Sequence, residues 1–211
     1  MKEIDDEVVL SEVNPSAEST DDLSKLIKKL TEVKEEGNAL YKQKKLDEAK
    51  NKYKEGLTKF ESESSLINKE SEKNEKYKEA LLLYKKILSN MALCYYKQGK
   101  YKESIDYDLK LIAIFPKFGK SIVRLIKSYS KLNLIQQSVY YGDLFLELDQ
   151  ETRDKFKGAQ DMVQEEKNKL KKIQKEETEK IQKDIAKFIV PILVLFLGIL
   201  IFFLFKKKAV K

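Results

Sequence analysis

Apolar positions along this 211-residue chain fall into three regimes. From Phe188 to Phe205 the run "FIVPILVLFLGILIFFLF" holds no polar or charged side chain. At about 1.5 Å per residue that is roughly 27 Å of helix, enough to cross the hydrocarbon core of a bilayer. A domain this small has no interior that could enclose such a segment on every side. A transmembrane helix is therefore expected over 188–205, with a basic tail over 206–211. Pro191 falls in the first turn of that span, where its missing N–H does little harm. A single span followed by "KKKAVK" predicts a tail anchor that leaves residues 1–187 on the cytosolic side.

Upstream, apolar residues recur every three or four positions among Lys and Glu, the spacing of amphipathic helices. Three windows share one pattern of helix, short polar turn and helix: "VKEEGNALYKQKKLDEAKNKYKEGL" from Val33, "ILSNMALCYYKQGKYKESIDYDLKLIAIFP" from Ile87, and "GKSIVRLIKSYSKLNLIQQSVYYGDLFLELD" from Gly119. Gly37 and Asn38 stand side by side inside the first of these helices, although Gly costs about 1 kcal/mol there relative to Ala. Alignment of the windows matches Gly37 with Ala92, Ala49 with Ser104 and Gly56 with Leu111. Small residues at these positions let the backbones of a helical hairpin pack closely. The third regime, residues 1–29, is acidic, contains Pro15 and several Ser, and shows no sustained stripe. A disordered tail is expected there.

Charge sharpens that division. Residues 1–22 carry eight acids against Lys2, a balance of −7 in a chain of +7, so +14 remains beyond them. With no His and one Cys, His-dependent triads, general-base schemes and zinc sites are excluded, as is an internal disulfide. Cys94 lies in "MALCYY" and is expected as a buried thiol in a reducing, cytosol-facing compartment. Seven Gly, three Pro and 36% charged residues point to one mostly helical domain with appendages. Nucleic-acid binding is disfavoured because acids and bases alternate along the helices and no aromatic and glycine reading motif appears. No cofactor is expected.

The three windows resemble the tetratricopeptide repeat, a unit of about 34 residues. The first carries Gly37, Leu40, Ala49, Tyr53 and Gly56; the second carries Ala92, Tyr95, Gly99, Tyr101 and the closing Pro116. Repeats two and three are offset by 34 positions, whereas one and two are offset by 55. The surplus between the first two resembles the lengthened connection in immunophilin co-chaperones, where it extends the flanking helices. The third repeat departs furthest, with Ile126 and Ser138 where the family has small residues and Gly142 where it has an aromatic. The resemblance implies an all-α, three-repeat superhelix over 30–150, with repeats at about 30–60, 77–116 and 119–150 and an insertion at about 61–76. Residues 151–187 read as one long capping and stalk helix. Phe156, Ala159 and Val163 would cover the last repeat, and Glu165 with Lys169, Glu176 with Lys180 and Glu179 with Lys183 would support the exposed part.

In such a superhelix the first helix of each pair lines the concave face. Lys34 and Asn38 share a helix face, Lys120 and Arg124 repeat that spacing, and Asn90 stands between them. Two amides and three cations around one groove suit an extended peptide ending in a carboxylate. Lys34, Asn38, Asn90, Lys120 and Arg124 also match the carboxylate clamp of tetratricopeptide co-chaperones. That resemblance implies binding of the Glu-Glu-Val-Asp tails of cytosolic ninety- and seventy-kilodalton heat-shock chaperones. Tyr41, Leu93, Tyr96 and Lys97 are expected to line the groove further. Some immunophilins place a prolyl isomerase domain before their repeats; here only a short acidic segment precedes them, so no enzyme is expected. The expected partners are chaperones, a membrane and client proteins bound by the groove, the acidic tail or the stalk, as in a scaffold or import receptor. The membrane would be the mitochondrial outer membrane or the endoplasmic reticulum. Under this reading Lys120→Ala or Arg124→Ala abolishes tail binding in a calorimetric titration while the fold is retained.

Overall fold

The computed structural model describes residues 15–63 and 75–209, with side chains described over 22–63 and 75–201. Among them the chain forms eight helices and no strand: α1 (Pro15–Lys42), α2 (Leu46–Glu63), α3 (Glu75–Lys97), α4 (Tyr101–Ile114), α5 (Gly119–Lys131), α6 (Ile135–Leu146), α7 (Gln150–Asp154) and α8 (Ala159–Ala209). The first six form three hairpins. Each hairpin packs on the next, α1 also lies along α3, and α6 is covered by α8.

The repeat register is written into the turns. Each hairpin reverses at one residue with left-handed backbone: Lys44 (φ 63°), Gly99 (φ 73°) and Asn133 (φ 57°). Their spacings of 55 and 34 are the offsets of the repeats themselves. The next residue's N–H then reaches back to close the helix end, Lys45 to the Leu40 carbonyl at 3.0 Å, Lys100 to Tyr95 at 3.0 Å and Leu134 to Tyr129 at 2.9 Å. This bonding satisfies carbonyls that the last helical turn would leave open. Inside the second and third hairpins a buried hydroxyl ties the helices together. Ser104 donates to the Ala92 carbonyl and Ser138 to that of Ile126, both at 3.0 Å. The stacked pairs Tyr95/Tyr107 and Tyr129/Tyr141, each with centroids 5.4 Å apart, repeat in the same register.

Gly37 has a more specific role than close backbone approach. A Cβ there would lie 2.8 Å from Cδ1 and 2.9 Å from Cζ of Tyr53, a ring that α2 buries against α1. The small residue makes room for an aromatic side chain. In the third repeat the expected aromatic is replaced by Gly142, and Val163 of α8 occupies the space, with Cγ1 2.8 Å from where a Cβ would stand. Phe156 packs edge-on against Phe145 at 6.3 Å, and Ala159 and Val163 are buried, so the last repeat is capped as expected.

Three boundaries differ from expectation. The disordered tail expected over 1–29 gives way at Pro15 to helix α1; residues 1–14 lie outside the described residues. Leu23, Leu26 and Leu30 are buried on one face of α1 and join Leu57, Phe60, Ala80, Leu83 and Tyr84 in a single core. That burial outweighs the high local acidity. The insertion expected over 61–76 is shorter at both ends, because α2 runs to Glu63 and α3 starts at Glu75; residues 64–74 lie outside the described residues. Phe60 of α2 stacks on Tyr84 of α3 at 4.3 Å across this extension.

The long helix expected over 151–187 is split. Asp149 caps the short α7 by accepting the Thr152 N–H at 2.8 Å, and Gly158, at φ 79°, turns the chain before α8 starts. From Ala159 one helix of 51 residues then includes stalk and apolar run alike, so Pro191 is an interior proline rather than a first-turn one. It deprives the Lys187 carbonyl of its helical partner. Lys169 meets Glu165 at 2.7 Å as expected, but Glu176 and Glu179 face the lysines four residues before them, Lys172 at 3.9 Å and Lys175 at 4.0 Å, rather than Lys180 and Lys183. An 18-residue window of this helix has mean hydropathy 2.5 and none of it is buried, so α8 is long and apolar enough to cross a membrane.

Gly37→Ala tests the tightness of the first hairpin. Its gain in helix propensity is about 1 kcal/mol, but the Tyr53 ring is buried, bonded and unable to swing aside. Overpacking costs about 1–3 kcal/mol, and a net loss of stability is expected in urea denaturation.

Candidate functional site

The first helices of the three hairpins carry all five expected clamp residues, and the structure ties three of them directly into a bonded framework. Asn38 of α1 and Asn90 of α3 meet across the interface between repeats one and two. Asn90 Nδ2 donates to Asn38 Oδ1 at 2.7 Å, and the Tyr53 hydroxyl donates to the same oxygen at 2.8 Å. With its carbonyl oxygen occupied twice, Asn38 has its amide nitrogen left to donate elsewhere. Gly37, by admitting the Tyr53 ring, thus helps fix the orientation of its neighbour. Burial pushes the Tyr53 phenol well above its ordinary range, which keeps it protonated as the donor.

Arg124 of α5 is held more tightly than the sequence suggests. Nε donates to Asp108 Oδ2 at 2.7 Å and Nη2 to Oδ1 at 2.6 Å, while Nη2 also approaches Ser89 Oγ at 3.4 Å. Asp108 of α4 is fully buried and Arg124 retains 8% exposure. Burial pushes the Asp108 carboxyl up, and the hydrogen bonds and charge of Arg124, with Ser121 beside it, oppose the rise. The pair joins α5 to α4 and, through Ser89, to α3. In this geometry Arg124→Ala would strand a buried acid, so a stability cost is expected beside its effect on binding.

The remaining two cations are less constrained. Lys34 is partly buried on α1, one turn before Asn38, with Nζ 4.0 Å from Glu35. Lys120 is exposed at the start of α5, one turn before Arg124, and has no ion pair among the described residues. Tyr41 and Tyr96 are partly buried; burial raises both phenols, and the Arg124 charge opposes the rise in each. Both rings therefore lie within electrostatic reach of the guanidinium. Tyr96 also meets Tyr101 edge-on at 5.5 Å. Leu93 is partly buried and Lys97 exposed on the same helix. The arrangement offers N–H donors and positive charge above a polar, bonded floor, which suits holding a carboxylate. Among the described residues no group of His, Cys, Asp and Glu is placed to hold a metal ion. Cys94 is fully buried, and burial raises its thiol to about 11.

Sequence reasoning missed Tyr53 and Asp108 as parts of this site. Asp108 could have been found. It follows Ser104 and Ile105 and precedes Leu111 on the buried face of α4, and an acid at helical spacing among core residues needs a cation.

The chain matches no known family model and no curated protein sequence. Among solved structures, it is similar to the C-terminal tetratricopeptide-repeat domain of a Plasmodium falciparum FK506-binding protein, with a TM-score of 0.59 and 21% identity over 72% of this chain and 95% of that one. It is also similar to the Saccharomyces cerevisiae Hsp90 co-chaperone Cns1, with a TM-score of 0.50 and 19% identity over 83% of this chain. The match spans 46% of that second chain. Together with the repeat register of the turns, these likenesses define the fold as a tetratricopeptide-repeat superhelix with a C-terminal capping helix.

The Arg124–Asp108 pair gives a stability test. Arg124→Ala should destabilise the protein by about 3–5 kcal/mol, the cost of leaving a buried charge uncompensated. The loss should shrink when Asp108→Asn is combined with it, and a double-mutant cycle in guanidinium denaturation reads both.

Proposed function

We propose that this protein is a membrane-tethered adaptor that binds carboxylate-ended peptide tails in its concave groove and acts by binding rather than by chemistry. Its ligands are the Glu-Glu-Val-Asp tails of cytosolic heat-shock chaperones. The observation that carries this reading is the Asn38–Asn90 hydrogen bond, 2.7 Å across two repeats, which leaves the Asn38 amide nitrogen to donate beside Lys34. Arg124 and Lys120 on α5 supply a guanidinium and an ammonium at the third repeat. Charge-assisted donors of this kind grip a terminal carboxylate more strongly than neutral ones. The apolar end of α8 tethers the groove to an organelle membrane, and the exposed, ion-paired length of α8 before it serves as the stalk.

The proposal is tested by titrating the full chain, in detergent micelles, with peptides ending in Met-Glu-Glu-Val-Asp and Ile-Glu-Glu-Val-Asp, each beside a carboxyl-amidated control. Binding in the micromolar range is expected, lost on amidation and weakened as salt screens the exposed lysines. Lys120→Ala, which removes an exposed cation and no packing, should abolish it. Equal affinity for acid and amide forms would refute the reading.

A further inference from the structure

Two of the proposed clamp residues, Asn38 and Arg124, are held by side chains contributed by the second helix of a hairpin. Tyr53 on α2 and Asp108 on α4 are separated by the offset of the first two repeats, so they occupy one repeat position. Tyr53 holds Asn38 of its own repeat at 2.8 Å, and Asp108 holds Arg124 of the next at 2.6 and 2.7 Å. Gly142, at the same position of the third repeat, has no side chain to offer and its space is filled by Val163. The second helices thus support the groove twice and then stop where α8 caps the stack.

We infer that Asp108 is a positioning residue for ligand binding, holding the Arg124 guanidinium at the groove floor so that the N–H donors it leaves open can meet the incoming carboxylate. This inference rests on the clamp reading above. Asp108 has no exposed surface and cannot touch a ligand itself. A guanidinium presents five N–H donors in a rigid plane, and Asp108 uses those of Nε and one of Nη2. Without the acid, a cation with 8% exposure would be drawn toward water and away from the floor. With it, the fork is pre-organised and loses little freedom when a carboxylate arrives. Simple charge counting gives the opposite sign, because removing an acid adds positive potential and should tighten an anionic ligand. The direction of the effect therefore separates the two.

The experiment titrates the Met-Glu-Glu-Val-Asp peptide into the full chain in micelles for the wild type, Asp108→Asn, Arg124→Lys and the double variant, with circular dichroism confirming that each is folded at the assay temperature. Asp108→Asn should weaken binding about tenfold, the scale of one lost charge-assisted contact. In the Arg124→Lys background, where no fork remains to position, the same change should have almost no effect. Unchanged or tighter binding by Asp108→Asn, or equal losses in both backgrounds, would overturn the inference. If wild-type binding itself fails, the clamp reading falls first and the inference with it. An observation on the wild type covers the case in which Asp108→Asn does not fold: the Arg124 Nε–H should be protected from exchange in the free chain and stay protected when peptide is bound. Loss of that protection on peptide addition would show the Asp108 contact being exchanged for the ligand, and would overturn it equally.

Discussion

A buried guanidinium and a buried carboxylate cannot be separated cheaply, and the middle of this superhelix is organised around that fact. Asp108 and Arg124 come from different repeats, and Ser89 from a third helix, so the contact fixes α3, α4 and α5 against one another. Apolar burial alone would tolerate some sliding between stacked hairpins. A bidentate ion pair does not, because its two hydrogen bonds define distance and angle together. Desolvation makes such a pair a weak source of net stability, and its better-attested value lies in specifying arrangement. Here the arrangement specified is the floor of the groove.

The same logic, without charge, operates one repeat earlier. Gly37, Asn38, Tyr53 and Asn90 form a chain of dependencies in which a missing Cβ admits a ring, the ring carries a hydroxyl, and the hydroxyl orients an amide. Packing and the orientation of the Asn38 amide are thus a single problem at this position. The first core extends beyond the repeats for a related reason. The apolar face of α1 between Leu23 and Leu30 needs a partner, and the prolonged ends of α2 and α3 provide it through Phe60, Leu83 and Tyr84.

What could be read from the sequence follows from what leaves a local signature. The hairpins were legible because Gly99, the regular offset of the last two repeats and the small residues at 37, 49, 92 and 104 mark turns and close contacts directly. The five candidate positions could be named as residue types at helical spacing, and the structure bonds three of them, Asn38, Asn90 and Arg124. The start of α1 was not, because the acids clustered near the amino terminus masked the stripe of Leu23, Leu26 and Leu30. The break at Gly158 was missed because a lone glycine between Lys157 and Ala159 resembles a tolerated helical glycine until its left-handed backbone is seen. Tyr53 and Asp108 were read as a repeat marker and as background charge. Their roles depend on which helix faces which, and that is a property of the stack.

The unbroken course of α8 has a geometric consequence. Val163 seats one end of this helix in the last repeat, and the apolar run occupies the other, with no loop between them. A helix advances about 100° per residue, since about 3.6 residues complete a turn. The compass bearing of the groove relative to the apolar end is therefore set by residue count, as the phase of a screw is set by its thread. Removing one residue from the exposed middle would swing the groove roughly a quarter-turn or more around the axis, whereas removing seven would nearly restore its heading.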